Sequence, residues 1–193
     1  MPADRAAWQA SADQPGAAPP RPERTARCAT AVEAARHIVE TEGTDALTMR
    51  RLAEDLGIRA PSLYKHFPDK AALEAALIED ALLEMGAALH AAVARPGRRP
   101  PVAALLAAYR QQALQHSSLY RLATAGPLAR EALAPGVEDW AGQPFYLVTG
   151  DPYAAQALFA FAHGMVILEI DGRFPPGSDL DRTWRAAAAS FAR

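Results

Sequence analysis

An all-α fold is predicted for this chain by three observations. Half of its 193 residues are hydrophobic and alanine is abundant, while Val, Ile and the aromatics are few, a balance that favours helix over sheet. No sustained apolar/polar alternation bounded by hairpin turn signals appears. Apolar residues recur instead at helical spacing between glycines and prolines placed where helices stop and start. About nine helices are expected, three of them in a small N-terminal unit.

Taken in order, residues 1–23 scatter Pro2, Pro15, Pro19, Pro20 and Pro22 among alanines and charges, and read as a disordered arm. Arg21, Arg24 and Arg27 at its end fit phosphate contacts and a solvated tail equally well. A first helix over about 24–41 carries the stripe Ala31, Ala34, Ala35, Ile38 and Val39. Gly43 is expected to end it in the αL conformation. Thr48 is a good N-cap for a second helix, which ends at Leu56-Gly57. Pro61, allowed in a first turn because its missing N–H has no partner there, opens a third helix of about two turns that stops before Pro68. Asp69 then caps a long helix over 70–94.

Residues 95–101, RPGRRPP, form the clearest linker. A fifth helix presents Val102, Leu105, Leu106, Tyr109, Ala113 and His116 on one face, and a short helical piece covers 118–124. A helix over about 136–148 carries Trp140, Phe145 and Tyr146 and is expected to kink at Pro144. Asp151-Pro152 starts the most hydrophobic element, PYAAQALFAFAHGMVILEI, which is apolar on nearly every side and is best covered by a second copy of the chain. A last helix from Asp179 places Leu180, Trp184, Ala187, Ala188 and Phe191 together. The expected domains are the arm (1–23), a helix-turn-helix unit (24–70), a connector helix (71–94) and a C-terminal part (95–193).

Chemistry concentrates in 48–70, TMRRLAEDLGIRAPSLYKHFPDK. Leu47, Leu52, Ala53, Leu56, Ile58, Leu63 and Phe67 form an apolar stripe broken once at Gly57, and Arg50, Arg51, Arg59, Ser62, Tyr64, Lys65, His66 and Lys70 are expected outside it. Lys65 and Lys70 are the only lysines in the chain. Five basic side chains against three acidic ones give this stretch a net charge of +2 within a chain of net −2. Such a balance suits specific DNA binding and argues against indiscriminate coating of nucleic acid. Two helices joined by a glycine turn and carrying donors on one face are helix-turn-helix architecture.

Residues 47–77, LTMRRLAEDLGIRAPSLYKHFPDKAALEAAL, resemble the signature of TetR-family transcriptional regulators (the TetR/AcrR family). The resemblance rests on the Leu-Thr-x-Arg opening, the glycine turn, the Tyr64-Lys65-His66-Phe67 block and Lys70, and it covers about residues 24–80. More loosely, 161–184 is similar to the C-terminal subgroup named for a Trp-His-Gly signature; Phe161-Ala162 stands before His163-Gly164, so that tryptophan is missing. The resemblance implies an all-helical homodimer paired through its C-terminal helices, with DNA-reading heads and a C-terminal ligand-binding and dimerisation domain. It implies that Thr48 and Arg50 hold the DNA backbone, with Arg50 also in reach of a base. Ala60, Pro61, Ser62, Lys65 and His66 would face the major groove, while Tyr64 and Lys70 hold phosphates. Arg59 stands where many relatives place a small hydroxyl cap, which adds a long donor at the DNA edge.

The expected partners are double-stranded DNA carrying a palindromic operator, a second copy of the chain, and an unidentified small molecule. Tyr109, Trp140, Tyr146, Phe159 and His163 are the candidates for a ligand pocket, and ordinary core packing is the competing reading. His163 and Glu169 do not share a helix face, which argues against a metal site. No cofactor and no catalytic residue is expected, since GxSxG, Walker and HExxH patterns are missing. Cys28 alone supports neither a disulfide framework nor a CxxC site. No segment approaches the ~20 uninterrupted apolar residues of a membrane span, and the cytoplasm is the expected compartment. The reading is a DNA-binding regulator, acting as a repressor released by ligand. The alternative is a small-molecule-binding helical protein whose helix-turn-helix no longer reads DNA.

Overall fold

The computed structural model describes residues 17–192, so most of the expected arm lies outside the described residues. Among these residues there are nine α-helices and no strands. They are α1 (Ala26–Glu42), α2 (Met49–Asp55), α3 (Ala60–Leu63), α4 (Lys70–Ala94), α5 (Pro101–Gln115), α6 (Ser117–Thr124), α7 (Val137–Thr149), α8 (Pro152–Ile170) and α9 (Leu180–Phe191). They fall into two compact units, one of residues 20–83 with 116–138, the other gathering 84–115 and the chain from 139 onward. The units follow packing and not chain order. α6 joins the N-terminal helices because Leu119 is buried in their core.

In the first unit α1, α2, α3 and the start of α4 enclose Ala35, Ile38, Val39, Leu47, Leu52, Leu63, Leu73 and Leu77, all at 0–1% exposure. Burial of this apolar surface is the main stabilising term. The caps are those the sequence calls for. Thr48 accepts the Arg51 N–H at 3.0 Å, and Asp69 accepts the Ala72 N–H at 2.8 Å. Gly43 departs from expectation. Its φ of 91° is positive, but ψ of 168° is extended and not αL, and it leads into a 3₁₀ turn at Thr44–Ala46. Arg24 is also reassigned. It donates to Asp80 at 2.5 Å and to the Ala76 carbonyl at 3.1 Å, so it braces α4.

In the second unit the face of α5 is as read: Val102, Leu105, Leu106, Tyr109 and Ala113 are buried. His116 is not on it; it precedes α6 and contacts Glu40 in the first unit, Nδ1 to Oε1, at 2.7 Å. Arg110 ties three helices together. It makes a forked pair with Glu169 of α8 (2.6–3.1 Å) and a 2.5 Å contact with Asp181 of α9. Trp184 adds its Nε1–H to Glu169 at 3.0 Å.

α7 runs through Pro144, which lacks the N–H that would bond the carbonyl four residues earlier. That carbonyl belongs to Trp140, and His90 Nε2 lies 3.0 Å from it. The histidine therefore donates where the proline cannot, while its ring stacks on the indole at 4.7 Å. Gly86 admits the same indole, since a Cβ there would lie 2.4 Å from Trp140 Cζ3. α8 buries Ala155, Leu158, Ala162, Met165 and Val166 but leaves Tyr153 (77%), Phe159 (45%) and Leu168 (42%) exposed. Contrary to the sequence reading, it is long and apolar enough to cross a membrane by length and composition, the one such helix among the described residues.

Candidate nucleic-acid interface

The geometry of the first unit puts hydrogen-bond donors on one surface of a short helix. α3 begins at Ala60-Pro61, turns once as α-helix, and continues through turns in which the His66 and Phe67 N–H groups bond the Leu63 carbonyl at 2.8 and 2.9 Å. Leu63 (1% exposed) and Phe67 (7%) anchor it in the core. Residues before and between them point outward by helical phase. Arg59, Pro61, Ser62, Tyr64 and Lys65 are exposed, and Ala60 and His66 are half-buried. The donor surface is thus carried on a buried hydrophobic base, and Tyr64, half exposed, presents an aromatic ring beside it.

The flanks differ in detail from the sequence reading. Thr48 is exposed, and its hydroxyl oxygen is occupied as the α2 cap, which leaves the O–H free to donate outward. Arg50 is almost fully exposed, with Glu54 one turn on at 3.7 Å. Lys70, half-buried at the start of α4, pairs with Glu74 at 3.1 Å. Arg51 is not a free donor. It is held by Glu42 at 2.6 Å and Asp55 at 3.3 Å, and the Glu42 hydrogen bond raises its pKa despite partial desolvation. Leu56 is half-buried against the core, but Ile58, also expected in the stripe, is 42% exposed, because positive φ at Gly57 (64°) breaks the helical phase before it. Arg59 occupies the N-cap of α3 without a side-chain cap bond.

In the second unit three of the ligand candidates are in ring contact. The rings of Tyr109 and Phe159 meet edge-on at 6.4 Å, and His163 stacks on Phe159 at 6.1 Å. Burial lowers the His163 pKa, so the imidazole is neutral near pH 7. Trp140 stacks on His90, and Tyr146 is half-buried. Phe145, passed over as a candidate, belongs with the first group, at 5.7 Å from Tyr109 and 5.6 Å from Phe159. Its spacing of four from the buried Ala141 is the signal that places it inward. Among the described residues no three His, Cys, Asp or Glu side chains are arranged to hold a metal ion.

The family model for bacterial regulatory proteins of the tetR family matches residues 31–77, the span from α1 into α4. An uncharacterized HTH-type transcriptional regulator of Mycobacterium tuberculosis is 31% identical over 164 residues, covering 79% of this chain and 73% of the relative. The class A tetracycline repressor from transposon 1721 of Escherichia coli is 47% identical over 55 residues, 28% of this chain and 26% of that protein. A solved structure of a protein of unknown function from Rhodococcus sp. RHA1 is 28% identical with a TM-score of 0.70, covering 89% of this chain and 96% of that one. An exposed donor surface on a buried helix-turn-helix core, an all-helical fold, and a relative matched along most of its length agree: this chain belongs to the TetR family and is a DNA-binding transcriptional regulator.

Proposed function

We propose that the protein is a repressor that binds a palindromic operator as a homodimer and releases it when a small molecule binds among the C-terminal helices. The observation that carries the reading is the outward set Arg59, Ser62, Tyr64 and Lys65 on α3, standing over buried Leu63 and Phe67. Lys65 and Arg59 have the donors that pair with guanine O6 and N7, and Ala60 and Pro61 can pack on a thymine methyl. His66 borders the same groove-facing surface. Thr48, Arg50, Tyr64 and Lys70 are assigned to the DNA backbone, which positions the head without specifying sequence. Pairing through α8 and α9 would cover the exposed Tyr153, Phe159 and Leu168 and place two recognition helices on half-sites about 34–36 Å apart, or a multiple of that.

The ligand is assigned to the neighbourhood of Tyr109, Phe145, Phe159 and His163, in a C-terminal part of the Trp-His-Gly kind. Trp140 and Tyr146 border the same unit. α4 is the element for transmission, a single 25-residue helix, about 37 Å long, that starts at Lys70 and contributes to both units. A ligand that favours a different tilt of α4 weakens operator binding by the factor with which the operator weakens ligand binding. The protein acts in the cytoplasm, where its operator lies.

Selection of binding sites from random duplex DNA with purified protein tests the reading. Lys65→Ala relaxes sequence preference, whereas Lys70→Ala weakens all sequences alike and reduces the salt slope by about one unit. Failure to enrich any sequence would support the rival reading, a small-molecule binder that no longer reads DNA.

A further inference from the structure

Glu79 is a buried carboxylate, 6% exposed, on α4 in the first unit. Its Oε1 accepts the backbone N–H of Ala134 at 2.6 Å, and its Oε2 faces Arg24 Nη2 at 3.4 Å. Arg24 also binds Asp80 and the Ala76 carbonyl. Positions 76, 79 and 80 stand three and four apart, so they share one face of α4. This cluster clips two remote segments to that face, the residues before α1 and the link between α6 and α7. Stability alone is a poor reason for it, because a buried ion pair generally holds a fold no better than apolar packing of the same volume. What such a cluster does supply is one defined geometry.

Its position says which geometry. The chain crosses between the units after Pro19, after Leu83, before His116 and after Glu138. Glu79 and Ala134 each stand four positions before a crossing, and Glu79 bonds one to the other. Of the other two, one starts at His116, held to Glu40 at 2.7 Å, and one follows Pro19, five residues before Arg24 with its bonds to Asp80 and Glu79. Glu138 is itself gripped by Arg130 through two 2.7 Å contacts. Each exit from the DNA-reading unit is therefore tied down by contacts within that unit, and Glu79 joins two of the four.

We propose that Glu79 is a positioning residue for operator binding. It fixes where α4 and the 125–136 link leave the reading unit, and thereby the separation at which two copies present their recognition helices. This rests on the dimeric, palindromic reading above.

The test uses the full chain, a palindrome obtained by site selection, and a duplex holding one half-site. Glu79→Ala is expected to lower affinity for the palindrome about tenfold, within the range of ordinary coupling energies, and to leave half-site affinity within about twofold. It also widens the range of half-site spacings accepted. Glu79→Gln, whose amide oxygen still accepts the Ala134 N–H, restores most of the loss. Deuterium exchange at the Ala134 amide speeds up in Glu79→Ala while the core amides of α1 and α2 keep native rates. Equal losses on palindrome and half-site, or no loss on either, would overturn the proposal. Should Glu79→Ala unfold the reading unit, seen as fast exchange throughout α1 and α2, Arg24→Gln carries the same comparison. Wild-type protein without preference for the palindrome over the half-site overturns the dimeric reading itself, before any variant is made.

Discussion

Replacing Gly86 with alanine sets two well-measured effects against each other. In the interior of a helix such as α4 the change is favourable by about 1 kcal/mol, because alanine loses less backbone freedom on folding. The new Cβ, however, would lie 2.4 and 2.7 Å from Trp140 Cζ3 and Cε3 and 3.0 Å from the Cα of Ala141. Ordinary carbon contacts begin near 3.5 Å, so the indole must retreat by about 1 Å. It has little room to do so. Trp140 is 8% exposed, its ring lies against His90, and its carbonyl is bonded to His90 Nε2. Overpacking of this kind costs about 1–3 kcal/mol, more when backbone is among the atoms met. The disturbed stack adds about 0.5–1.5 kcal/mol. The balance is a net loss of about 2 kcal/mol, or roughly 4–8 °C in Tm for a chain of this size. Thermal and urea denaturation of Gly86→Ala measure it, and Gly86→Ala in a Trp140→Leu background should recover the helix-propensity gain. A rise in Tm for the single variant would refute the argument, since that is what propensity alone demands.

Two further outcomes follow from the same structure. Arg59→Ser should supply the missing cap of α3 and raise stability by about 1 kcal/mol, while operator affinity falls with the lost donor; unchanged denaturation midpoints would show that the cap is already satisfied. Stability should also decline towards acid in two stages. Burial lowers the His163 pKa below its ordinary 6.5, so the unfolded chain binds that proton more readily and stability falls as pH drops below about 6.5. The Arg110 hydrogen bond lowers the Asp181 pKa below 3.8; its contribution is present above that value and is lost as pH falls through the lowered one. Urea midpoints between pH 8 and 5 should flatten in His163→Gln, and an unchanged slope would assign the upper stage to another group.

The parts of the fold that depend on neighbours in sequence were legible. Thr48 and Asp69 cap as read, because an N-cap needs only a side-chain oxygen and the next turn. The outward set on α3 follows from the phase of Leu63 and Phe67. Pairs made across long stretches left no such trace. Arg24 with Asp80, Glu79 with Ala134 and Arg110 with Glu169 are 56, 55 and 59 positions apart, and no local pattern tells an arginine bound for a carboxylate from one bound for solvent. Ile58 misled for another reason: it lies just past the break at Gly57, where helical spacing no longer decides which side meets the core. The aromatic group was half legible, because ring count marks a cluster but only packing chooses Phe145 over Tyr146.

On the DNA-contact assignment proposed above, the ion pairs on this surface have a consequence for selectivity. Arg50 and Lys70 each carry a carboxylate one turn away, from Glu54 and Glu74, and Arg51 is held by two. Among the described residues Arg59 and Lys65 have no such companion. A phosphate reaching Arg50 or Lys70 must compete with an anion already in place, so each of those contacts returns less than a bare cation would. Arbitrary duplex, which offers phosphates alone, meets a surface already partly neutralised from within. If Arg59 and Lys65 read bases as proposed, only DNA that also satisfies them recovers the difference, which would let a mildly acidic protein hold one site while passing over others.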